Sequence, residues 1–312
     1  MTGCRLKDLT TESLREQAAQ LSPALTHISE HVLAMLIVMR ALGKDFWERE
    51  LSSHANPSSA FFQERKSILT VHVADLIWRL RDKNGFSTLL RKNGDRSFES
   101  TYFELVASEM VDSSSESIDF VIPSGIKGQD YDLRAFGFIG YSQSAIEIKS
   151  RRKAFKSSRA LRNFLNDARS QLPRGGIGIL ICKIPRSGHY ASQQEVSDDI
   201  ATWMRTSTRR IKRVILCWDV FERETLAVSF ASWVIDPSGV SNEVFGAHSY
   251  QELGEISFLS DLGMEQRIEP GLRRRLFNRA GAGVKVTIGT WRSGIKNWWL
   301  HDGREASTKG PE

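Results

Sequence analysis

The chain is poor in cysteine: Cys4, Cys182 and Cys217 are its only three. That excludes a disulfide-stapled scaffold, and the places of Cys182 and Cys217 inside apolar runs predict small buried thiols. No stretch approaches the roughly 18 apolar residues of a membrane span. The best candidate, Val32 to Met39, reads as part of a buried helix. Polar and acidic residues follow Leu6, so no signal-peptide pattern opens the chain. A cytoplasmic protein with no membrane partner is therefore expected. There is no Gly-x-x-x-x-Gly-Lys loop, no glycine framing of the serines near 113–117, no internal repeat and no low-complexity tract. His27 and His31 have the spacing of a two-histidine metal site on a helix. No Glu stands second in a His-Glu-x-x-His pattern and no third ligand is near, so ordinary helix histidines are expected there. His189 is read as a loop residue.

What is present is positive charge, concentrated in one place. Residues 149–213 hold sixteen Lys and Arg against four Asp and Glu, a surplus of twelve in a chain whose net charge is +6. The rest of the chain therefore sums to −6. The surplus begins at Lys149, Arg151, Arg152, Lys153 and Lys156, runs through Arg159, Arg162, Arg169 and Arg174, and returns at Arg205, Arg209, Arg210, Lys212 and Arg213. A basic strip of this kind suits a polyanion such as nucleic acid. No aromatic stacking motif or recognition helix accompanies it, so base preference is not legible.

Directly before the strip lies Gly128 to Lys149, which reads as a β-hairpin. Side chains alternate along a strand, so Ala145, Glu147 and Lys149 share one face and Ile146 and Ile148 the other. On the partner strand Asp130, Asp132 and Arg134 alternate with Tyr131, Leu133 and Ala135. A turn centred between Ile139 and Gly140 places Asp132 opposite Glu147. Two carboxylates and an ammonium then converge, an arrangement that can hold a hard divalent cation and polarise a phosphodiester. Glu64-Arg65-Lys66 has the same Glu-x-Lys pattern, but in a polar helical stretch with no acidic strand before it, and it carries no weight.

These residues resemble the PD-(D/E)xK nuclease superfamily, which has the restriction-endonuclease-like fold. The resemblance covers about 95–185 and can be extended to 220. It implies an αβββαβ core: a helix near 97–111, a strand Ser117 to Ile122, the hairpin, a helix Ser157 to Leu172 stopped by Pro173 and Gly175-Gly176, and a buried strand Ile177 to Ile184. A helix near 193–206 and a strand Val214 to Trp218 can follow. By the resemblance Asp132 is the metal-binding Asp, Glu147 the acid of Glu-x-Lys and Lys149 its lysine. Asp130 is the second choice for the Asp role. Glu99 is the candidate helix glutamate, on a stripe with Phe103, Val106 and Met110, whereas Glu104 and Glu109 fall off that stripe and are expected in solvent. The carbonyl of Ile148 is a further expected ligand. Gln171 resembles an accessory glutamine of some branches, and Arg151, Arg152, Lys153 and Lys156 are expected to touch nucleic acid. Tyr131, where the pattern has proline, is the one departure.

The implied activity is Mg²⁺-dependent phosphodiester hydrolysis, with Mn²⁺ as a substitute, acting on DNA in restriction, repair, recombination or mobile-element defence. The alternatives are an inactive nucleic-acid-binding or assembly module on the same fold, and a coincidental hairpin in an unrelated α/β domain. The expected organisation is a mixed-sheet α/β (α+β) protein in three parts. Residues 1–92 form a helical region able to bind a partner protein or make a homodimer, with Trp47 and Trp78 as core anchors. Residues 93–220 form the nuclease-like core. Residues 221–312 form a mixed strand and helix extension, with strands at Leu226 to Ile235 and Val284 to Trp291, a basic helix at Leu272 to Arg279 and a disordered tail after His301.

Overall fold

In the computed structural model the alternating segments from Ser117 onward form one seven-stranded mixed sheet, in the order β1-β2-β3-β4-β5-β6-β7. The structure describes residues 10–20, 29–51, 66–93, 96–151, 153–185, 192–207, 209–222, 227–240 and 261. All belong to one unit, Met1–Glu222 with Ala227–Arg267; the second unit, Arg223–Leu226 with Ile268–Glu312, contains none of them. The expected strand at 284–291, the helix at 272–279, the tail, His27 and His189 lie outside the described residues, as does the side chain of His31.

The helices of the first half are α1 (Thr11–Gln20), α2 (Ser29–Leu42), the short α3 (Lys44–Phe46), α4 (Lys66–Leu80), α5 (Phe86–Asn93) and α6 (Phe98–Ser113). A single π turn, Trp47–Leu51, follows α3. The anchor in this stretch is Phe46, which is buried, while Trp47 is half-buried; Trp78 is buried as expected. Helix α5 was not anticipated. Gly85 precedes it at φ 76°, where a Cβ would lie 2.1 Å from the Phe120 carbonyl oxygen. The glycine lets α5 dock against β1.

The sheet consists of β1 (Ser117–Phe120), β2 (Leu133–Phe138), β3 (Tyr141–Ser150), β4 (Gly178–Lys183), β5 (Ile211–Glu222), β6 (Ala227–Asp236) and β7 (Gly239–Val240). Strands β1 to β3 are antiparallel, β3–β4 and β4–β5 are parallel, and β5 to β7 are antiparallel again. Parallel neighbours need a crossover. Helix α7 (Ser158–Gln171) joins β3 to β4, and α8 (Gln193–Ser207) joins β4 to β5. The boundary expected at 220 falls inside β5, whose partner β6 continues the same sheet.

The two faces of the sheet have different covers. On one, Ala145, Leu180, Cys182, Val214, Leu216 and Trp218 pack under Leu161, Leu165 and Ala168 of α7 and Val196, Ile200 and Trp203 of α8. Ser157 caps α7 by accepting from Ala160 N at 3.3 Å. On the other face lies α6, which also contacts α4. Sandwiched this way, α6 is buried nearly all round, and that corrects one expectation. Glu104 is not in solvent: it is 2% exposed and accepts from Arg96 Nη1 at 2.9 Å. Glu109 is also largely covered and lies 3.8 Å from Arg79. The start of α6 is fixed by Glu50, which accepts from Phe98 N at 3.1 Å, placing a carboxylate at the positive end of the helix.

Candidate active site

The hairpin that carries the acidic residues is set by its turn. Phe138 pairs with Tyr141 around a two-residue loop, with Ile139 at φ 47° and Gly140 at φ 76°. Two positive φ angles suit a tight hairpin turn, whose twist matches the strands it joins. From this turn the register runs Arg134 to Ala145 and Leu133 to Ile146. The paired register ends at Leu133, and Asp132 stands just before the strand, where its N–H donates to Ile146 O and its carbonyl accepts from Val121 N, both at 3.0 Å.

Cross-strand partners share a face. One face of the sheet therefore carries Arg134 beside Ala145, then Glu147 beside Leu180, then Lys149 beside Cys182. Asp132 is 6% and Glu147 1% exposed. Lys149 Nζ lies 2.5 Å from Glu147 Oε1, with its side chain 35% exposed. Asp132 Oδ2 accepts the backbone N–H of Ile148 at 2.7 Å. In a strand the N–H and C=O of one residue point to the same neighbouring strand. The Ile148 carbonyl is therefore turned to the same side as Asp132.

The cluster is thus two buried carboxylates, one backbone carbonyl and one ammonium at the C-terminal end of β3. Burial makes each carboxylate depend on its hydrogen-bond and charged partners. Among the described residues no group of three or more His, Cys, Asp or Glu stands together. The donors present fit Mg²⁺, which is held by one or two carboxylates and keeps several of its waters.

The remaining candidates fall elsewhere. Glu99 is on α6, on the other side of the sheet, where its Oε1 accepts from Lys183 Nζ at 3.2 Å. Lys183 shares its face with Ile179 and Ile181, not with Glu147, so the contact that defines Glu99 is not part of the hairpin cluster. The strand period explains this: Lys183 is odd-numbered on β4 where Leu180 and Cys182, the partners of Glu147 and Lys149, are even. Asp130 holds a turn, accepting from Ser124 N at 2.7 Å and Ser124 Oγ at 2.9 Å. Gln171 ends α7, half-exposed, beside Leu172, which abuts Gly178 one row before Glu147. Arg151 lies over the Phe155 ring at 4.6 Å and donates to Lys153 O at 2.8 Å. Lys153 and Lys156 are exposed beside it; Arg152 lies outside the described residues. Farther along the basic strip, Arg159, Arg162, Arg174 and Arg209 are exposed, while Arg169 and Arg205 bond the carbonyls of Ser207 and Pro237.

Two basic residues of this region had no assigned role in the sequence. Lys183 is 3% exposed, and the signal for it was a single lysine in the apolar run 177–184. Arg134 has the same strand parity as Asp132. Behind Lys149, burial pushes the Cys182 thiol up to about 12, so it is an inert packing group. Comparison of the chain with protein-family models, with curated proteins and with solved structures returns no match.

Proposed function

We propose that this protein is a metal-dependent nuclease of the PD-(D/E)xK type, hydrolysing phosphodiester bonds of DNA on a restriction-endonuclease-like core. The observation that carries the reading is two buried carboxylates at the end of β3, Asp132 bonded to Ile148 N and Glu147 2.5 Å from Lys149 Nζ. The order helix α6, strands β1 to β3, helix α7 and strand β4 is the αβββαβ order that the resemblance implies.

In this reading Asp132, Glu147 and the Ile148 carbonyl hold Mg²⁺, which when bound supplies an activated water and neutralises charge on the phosphoryl group. The protein's own groups do the rest. The Ile148 amide fixes the Asp132 carboxylate by its 2.7 Å hydrogen bond. Lys149 has three N–H donors; one is directed to Glu147, and the others are offered to a non-bridging phosphate oxygen or to the attacking water. Exposed Lys153, Lys156, Arg159 and Arg162 neutralise the flanking backbone.

The test is cleavage of linear, circular and single-stranded DNA in Mg²⁺ or Mn²⁺ at 25 °C, wild type beside Lys149→Ala. Cleavage that EDTA and the substitution both abolish is expected. Salt-sensitive DNA binding by both proteins with cleavage by neither would instead favour a binding module on this fold.

A further inference from the structure

One further cation, Arg134, stands on the sheet face that carries Glu147 and Lys149. Arg134 faces Ala145 across the hairpin, and Ala145 stands two residues before Glu147 on β3, so the row of Arg134 lies about 7 Å from that of Glu147. Its neighbours on that face are Asp119 of β1 and Ala145 of β3. Asp119 is engaged by Asn84, whose Nδ2 donates to Oδ1 at 3.3 Å. Arg134 makes no ion pair among the described residues. Among the described residues its side chain makes one hydrogen bond, Nη2 to the Tyr131 hydroxyl at 3.5 Å, the outer limit of such a bond. Its Nε is buried and has no hydrogen-bond partner.

A guanidinium carries five N–H donors in a fixed fork, and leaving a buried charged donor unsatisfied costs more than a hydrogen bond is worth. That cost falls when an anion binds. The fork geometry matches two oxygens of a phosphate, and the neighbouring row of the sheet is where the proposed chemistry takes place. We propose that Arg134 is a phosphate-binding residue of this site, taking the non-scissile backbone phosphate adjacent to the one positioned over Asp132 and Glu147. The inference rests on the nuclease reading for its substrate class, a polynucleotide, and names a residue the catalytic pattern does not include. Tyr131 orients the guanidinium from the side where the pattern places proline.

The test is the salt dependence of binding. Wild type, Arg134→Gln and Arg134→Lys are titrated against a fluorescein-labelled 20-base-pair duplex in Ca²⁺, by anisotropy, between 50 and 200 mM salt. Loss of one phosphate contact reduces the slope of log K against log[salt] by about 1. Arg134→Gln is expected to show that change and roughly tenfold weaker binding at 100 mM salt, a charge-assisted bond's worth. Arg134→Lys is expected to keep the wild-type slope while binding more weakly, because it restores the charge and not the fork. Arg134→Gln with a wild-type slope, whatever its melting temperature, would assign the residue to packing and overturn the inference. Wild-type binding without cleavage, with the slope change intact, would remove the nuclease reading and leave Arg134 in place. No binding by wild type would remove both.

Discussion

The Glu147–Lys149 contact makes a quantitative prediction through a double-mutant cycle. Glu147 is 1% exposed, so its charge depends on its partners; the Lys149 side chain is 35% exposed and can hydrate if left alone. Removing one member of a fully buried pair costs about 3–5 kcal/mol, and an exposed pair is worth only about 0.2–1 kcal/mol. A buried acid with a partly wet base lies between these limits. Lys149→Ala should therefore cost about 2 kcal/mol, a fall in Tm of about 4–8 °C. Glu147→Gln removes the buried charge and leaves a hydratable ammonium, so it should cost less than about 1 kcal/mol. In the double variant neither member of this ion pair is left charged, and the coupling energy should be about 1–2 kcal/mol. Urea unfolding at pH 7 without divalent metal, followed by tryptophan fluorescence, reads this directly, since Trp78, Trp203 and Trp218 are all buried. Lys149→Ala as stable as wild type, or a coupling below about 0.5 kcal/mol, would refute the argument that this ammonium stabilises a buried carboxylate.

Two further outcomes follow from the structure. Ile139 occupies a left-handed conformation at φ 47°, which costs a β-branched residue roughly 1–2 kcal/mol. Ile139→Asn should raise the urea midpoint, by about 1 kcal/mol in stability, without moving the hairpin register; an unchanged or lowered midpoint would mean that Ile139 packing outweighs the strain. Burial raises Cys182 from an ordinary 9.0 to about 12, so the folded protein keeps a proton that the unfolded chain loses. The sign follows: this contribution is complete below pH 9 and is lost as pH rises from 9 through 12. Native protein at pH 8.5 should resist iodoacetamide at Cys182 in mass-mapped digests, and label there only after unfolding.

Much of the site was legible because a tight turn and a period of two determine it. Once the turn lies between Ile139 and Gly140, the register down to Leu133–Ile146, and the face of Glu147, follow by counting, while Asp132 lies one residue beyond the ladder. Helix α7 was equally readable from Leu161, Leu165, Ala168 and Leu172 and its Ser157 cap. What escaped was what only tertiary contacts decide. Glu104 looked solvated because a stripe argument assumes one buried face, whereas α6 is covered from two sides. Glu99 was assigned to the hairpin because Lys183, 84 residues away in sequence, is invisible as a partner until β4 is placed. Nothing local to Gly85 reveals that the Phe120 carbonyl needs the space a Cβ would take. The unsatisfied Nε of Arg134 has the same origin: parity placed the side chain, but not the lack of a hydrogen-bond partner for that atom.

The most direct test of the central claim is plasmid cleavage in Mg²⁺ by wild type, Asp132→Asn and Glu147→Gln, each checked for an intact fold. The account predicts nicked or linear product from wild type and a loss of at least about a thousandfold in each variant, since each removes a ligand of the group on which the chemistry depends. Cleavage by either variant at the wild-type rate would place the active centre, if there is one, away from this hairpin.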